Sequence, residues 1–108
     1  MISAEDDVVV AAVTVAELLV GVELAEAQYR EQRAAWVEGL LAALRIEDYD
    51  LDVAREHARL LAHVKRVGEP RGAHDLSVAA TARARSREVV TTDVRGFEGL
   101  PDLHVRAL

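Results

Sequence analysis

Apolar positions change their rhythm from segment to segment along this chain, and that rhythm predicts the elements. Residues 8–13, VVVAAV, are apolar at every position and rich in β-branched side chains, the pattern of a short strand covered on both faces. From Val15 to about Tyr29 a helix is predicted; Thr14, with Glu17 three residues later, has the spacing of a capping box. A second helix, near 32–44, places Trp36, Leu40 and Leu44 on one face, expected to be a stripe of core packing. Arg45 to Tyr49 reads as a short strand. Asp50 is then the N-cap of a helix to about Val67, whose Val53, Leu60, Leu61 and Val64 keep roughly helical spacing.

The second half continues the alternation. GEPRG, residues 68–72, is a loop by composition, since Gly ends helices and Pro cannot continue them. Residues 76–84 form a helix of small side chains suited to close packing on a sheet. EVVTTD, residues 88–93, is a strand ending at an acid; 96–101 turn the chain, and 103–105 are a last edge strand. Strands alternating with helices predict an α/β fold of three layers, with a mostly parallel sheet between helices. The 108 residues suffice for one domain with its own core, so 1–108 is expected to be a single domain.

Composition narrows the chemistry. There is no cysteine, which excludes disulfides, thiolate metal sites and a cysteine nucleophile, and points to a reducing cytoplasm. The longest apolar stretch is interrupted by Glu17 and is too short to span a bilayer, and no basic segment precedes it, so neither a membrane span nor a signal peptide is expected. The net charge of −6 is unevenly divided: twelve acids against three bases in residues 1–54, seven against ten in 55–108. A globally acidic chain is not a general, salt-driven nucleic-acid binder, but it accommodates a local basic rim around an acidic site.

Three carboxylates have special addresses on this map. Glu17 falls in the first turn of the helix after the first strand, Asp75 opens the helix after GEPRG, and Asp93 ends the following strand. All three point to the carboxyl edge of a parallel sheet, where ligands gather. Converging carboxylates repel, and a hard divalent cation or a raised pKa resolves the conflict. Mg²⁺ or Mn²⁺ in such a site suits phosphodiester hydrolysis. Each acid also has an ordinary structural role, Glu17 in a capping box, Asp75 as an N-cap and Asp93 in a turn, and spacing alone leaves both roles open.

Two stretches settle the comparison with known families. VAAVTVAELLVGVELA, and then RGAHDLSVAATARARSREVVTTDVRGFEGLPDL, strongly resemble the PIN-domain ribonucleases of the VapC type, toxins of bacterial toxin–antitoxin pairs. The likeness covers nearly the whole chain. It implies that Glu17 of TVAEL, Asp75 of HDL and Asp93 of TTD are the catalytic and metal-holding acids, with Mg²⁺ or Mn²⁺ as cofactor and structured RNA as substrate. It also implies that Thr91 supports Asp93, and that the partners are a VapB-like antitoxin and a second copy of the chain. The face of Trp36, Leu40 and Leu44 is an alternative seat for either partner.

One departure matters. The family pattern opens with a strand ending in an Asp-Thr/Ser-Ser/Asn-Val motif, followed by a helix, and MISAEDD contains neither. The sequence is therefore read as an N-terminally truncated member lacking the first strand, first helix and first metal-binding aspartate, with weak or absent activity; the alternative is a catalytically dead remnant that still binds antitoxin. Asp6 and Asp7 precede the first strand and belong at the opposite edge.

The other candidates divide simply. Arg71, Arg83, Arg85, Arg87 and Arg95 surround the proposed edge in sequence and read either as solvated surface charge or as phosphate contacts; Arg71 and Arg95, which flank the acid motifs, are the better candidates for RNA phosphate contact. His57 and His63, six apart, do not share a helix face as a His-Glu-x-x-His pair does. His74, Asp75 and Ser77 cannot form a nucleophilic triad, because adjacent side chains diverge at a helix start.

Overall fold

A computed structural model describes residues 6–107; the MISAE of the opening stub and Leu108 lie outside the described residues. The described residues divide into two compact units, one of residues 7–48 and one of residues 49–107 with Asp6. The elements are α/β, as expected, with parallel strand pairing in both units.

In the first unit, β1 (Val9–Ala11) leads directly into α1 (Ala12–Glu23), and α2 (Ala27–Ala43) returns the chain to β2 (Arg45–Glu47). β1 and β2 pair in parallel with Val10 opposite Ile46. The capping box does not form: α1 starts at Ala12, its N-cap is Ala11 without a side-chain cap, and Thr14 and Glu17 lie inside the helix. The helix extends back into the predicted strand across Val13, Thr14 and Val15, whose β-branched side chains favour strands by local preference, so the start at Ala12 is set against that preference. Leu24 to Glu26 then separate α1 from α2, with the Arg30 guanidinium donating to the Ala25 carbonyl.

This unit has a thin interior. Only Val22 and Val37 are buried among its described residues, while Val20, Leu24, Tyr29 and Trp36 are exposed. Trp36 is 61 % exposed, so the expected core stripe on α2 is corrected: Val37 fills the buried position, and Trp36 faces solvent.

The second unit is built on α3 (Leu51–Val67) and α4 (Ala73–Ala84), followed by β3 (Val89–Thr91), a 3₁₀ turn (Val94–Gly96) and β4 (Val105–Ala107). Asp50 caps α3 as expected, its Oδ1 accepting from the Val53 N–H at 3.1 Å, and Gly68 ends the helix in the left-handed conformation at φ 69°. Val53, Leu60 and Val64 of α3 pack with Leu76, Ala79 and Ala80 of α4, and Val89, Phe97 and Leu100 complete this cluster. The alanines allow the helix backbones to approach closely. Two arginines of the α4 end tie back to α3: Arg83 to Glu56 at 2.9 Å and Arg85 to Asp50 at 2.8 Å.

β3 and β4 pair in parallel, with Val90 opposite Arg106. β4 lies two residues later than the predicted edge strand. Parallel neighbours need a long connection. Here residues 92–104 supply it, and they include Asp93 and Arg95.

Candidate active site

The site is best defined where α4 begins and β3 ends. α4 starts at Ala73 with Gly72 as N-cap, so Asp75 is not the cap but an acid of the first turn, where the helix dipole favours negative charge. Its side chain is directed at the 3₁₀ turn after β3. A Cβ built on Gly96 would lie 2.5 Å from Asp75 Oδ2 and 3.2 Å from its Cγ, so the carboxylate occupies the space a side chain at 96 would need. Gly96 is the residue the sequence reading missed. The only local signal was a glycine three residues beyond an acid, which read as a turn.

Asp93 is the residue preceding that 3₁₀ turn. Its backbone N–H donates to Thr91 Oγ1 at 3.0 Å, so the last hydroxyl of β3 fixes the backbone leaving the strand. Asp93 and Arg95 are exposed, and Asp75 and Thr91 are half-buried. Thus the second unit brings Asp75 against the turn that Asp93 introduces.

Arg71 holds the same turn from the loop before α4. Its Nη1 donates to the Arg95 carbonyl at 2.7 Å, and its Nη2 donates to the Glu98 carbonyl. Glu69 Oε2 is 3.8 Å from Nη2 and exposed, a weak pair by comparison. The expectation for Arg71 was phosphate contact; both terminal nitrogens are turned toward backbone carbonyls.

Glu17 belongs to the other unit. It is exposed and lies within α1, where it lines a groove of about 520 Å³ with Gly21, Tyr29, Arg33, Trp36 and Val37. Arg33 reaches across from α2, its Nη1 3.9 Å from where a Cβ of Gly21 would lie.

Carboxylate oxygens suit Mg²⁺ or Mn²⁺ by their chemistry. Their number is another matter: among the described residues, no three His, Cys, Asp or Glu side chains are gathered closely enough to hold a metal ion. The donor type, carboxylate oxygen, fits a hard cation.

Comparison with known proteins places the chain. A family model described as PIN domain matches residues 1–103. A tRNA(fMet)-specific endonuclease VapC of Salmonella typhimurium is 33 % identical over 96 residues, which is 89 % of this chain and 71 % of that protein. Ribonuclease VapC5 of Mycobacterium tuberculosis is 39 % identical over 89 residues, 82 % of this chain and 65 % of its own length. The chain thus spans roughly two thirds to seven tenths of these relatives. Among solved structures, DNA-bound VapBC of Salmonella typhimurium superposes with a TM-score of 0.85 at 33 % identity, covering 90 % of this chain and 72 % of that one.

Proposed function

Because the chain belongs to the PIN-domain family, among its VapC members, we propose that it is a metal-dependent endoribonuclease toxin of a VapBC-type pair, acting on structured RNA. The observation that carries this reading is the seating of Asp75 against Gly96, in the turn that Asp93 introduces. Asp75, in the first turn of α4, lies against the turn that follows Asp93 at the end of β3. Asp75 and Asp93 would hold the metal ion, which when bound would lower the pKa of the attacking water; Thr91 holds the Asp93 backbone, and exposed Arg95 contacts phosphate. Glu17 is the third acid of the proposal.

Dependence on Mg²⁺ or Mn²⁺ rests on the oxygen-only donor set. The one-domain reading of residues 1–108 is supported by the family model running across both units. No described helix is long and apolar enough to cross a membrane; a cytoplasmic location remains part of the proposal.

A VapB-like antitoxin and a second copy are the proposed protein partners. The thin interior of residues 7–48, with Trp36 and Leu24 in solvent, supports a covering partner. The same observation favours a second reading, a catalytically dead remnant that binds antitoxin. Incubating the chain with transfer RNA, with single-stranded DNA and with a VapB-like antitoxin, across Mn²⁺ concentrations, separates them. Metal-dependent RNA scission supports the enzyme; antitoxin binding with no scission of either polymer supports the remnant, and preferential DNA scission refutes the ribonuclease assignment.

A further inference from the structure

Asp75 and Asp93 lie on different segments, so something must fix one segment against the other. Apolar packing does part of this: Phe97 and Leu100 are buried in the α3–α4 core and hold the far side of the turn from within. The near side, residues 95–98, is held from the loop that leads into α4.

We infer that Arg71 is the positioning residue of the site: by clasping the Arg95 and Glu98 carbonyls, its guanidinium sets where the Asp93–Gly96 turn lies against Asp75. This rests on the nuclease reading of Asp75 and Asp93. Four observations on the same side chain support it. Its two terminal nitrogens each donate to one of these carbonyls, a planar fork bridging two acceptors at once. Its side chain is only 15 % exposed, so it is not an arm extended to a substrate. Gly99, at φ 79°, lets the chain reverse beside it, and a Cβ there would lie 3.5 Å from Nη2. Finally, Arg71 immediately precedes Gly72, the N-cap of α4, so the loop that presents Asp75 also reaches the turn after Asp93.

A lysine keeps the charge but offers a single point donor, which cannot reproduce the fork. The full chain is compared with R71K and R71Q in amide hydrogen exchange, in Mn²⁺ binding by calorimetry, and in the division of RNA cleavage between kcat and KM. Exchange at the amides of residues 94–99 rises about tenfold in both variants while α3 is unchanged, and Mn²⁺ affinity falls about tenfold, within the range typical of groups that orient metal ligands; kcat falls with KM unchanged. A raised KM for RNA with unaltered exchange would overturn the inference in favour of phosphate contact. A uniform rise in exchange, α3 included, would overturn it in favour of a general role in stability. If wild type and D75N bind Mn²⁺ alike, the metal reading of the site fails on its own, and exchange at 94–99 still decides for or against the clasp.

Discussion

Gly96 and Asp75 are seated so closely that the carboxylate of one occupies the place of a side chain on the other, with Oδ2 2.5 Å from an added Cβ. Substituting Gly96→Ala therefore forces Asp75 to move. The backbone at 96 is not left-handed, so the penalty is contact and not torsion. Overpacking of this kind costs about 1–3 kcal/mol. RNA cleavage by G96A is expected to drop at least tenfold while circular dichroism stays that of the wild type, because the moved group is the proposed catalytic one.

Leu60 is fully buried between α3 and α4. Truncation to alanine leaves a cavity in the cluster that carries the second unit, at a cost of about 2–5 kcal/mol. That is a large part of the stability of a domain this size. Urea denaturation of L60A is expected to show a midpoint lowered in proportion or, at the upper end, an unfolded chain.

Asp50 supplies a pH test of the α3 cap. The Val53 N–H, and then the Arg85 guanidinium, hold its carboxyl below the usual carboxylate range. A lowered folded-state value means the group contributes stability above its unfolded value, lost as pH falls through the folded one. The urea midpoint of the wild type is expected to fall from about pH 4 downward more steeply than that of D50N, which has no charge to lose there.

Much of this architecture was legible because its signals are local. Asp50 and Gly68 bound α3 in sequence as they do in space, since a cap needs only its own helix end. The α1 start differs for the same reason: Thr14 and Glu17 have capping-box spacing, yet the helix already begins at Ala12, so the box has no end to cap. Trp36 shows a second limit, for periodicity says that a helix has an apolar face and not that anything covers it. The Asp75–Gly96 seating and the Arg71 clasp join segments more than twenty residues apart and left no spacing signature. The choice of Glu17, Asp75 and Asp93 came from the family resemblance as much as from position.

Trp36 is the chain's only tryptophan and lines the α1–α2 groove in solvent. Its emission therefore reports on that groove alone. If a VapB-like antitoxin covers it, the emission maximum shifts to the blue on titration and saturates at a fixed ratio; binding without a shift would move the partner to another surface.

The central claim is that Asp75 performs chemistry on RNA. The direct measurement is the cleavage rate of end-labelled transfer RNA, at saturating Mn²⁺, by the chain and by its folded D75N variant. Slow, Mn²⁺-dependent cleavage that falls about a hundredfold or more in D75N is the predicted result, in line with loss of a group needed for deprotonating the attacking water. Equal rates for the two proteins, or no cleavage by the wild type alongside saturable antitoxin binding, would contradict it.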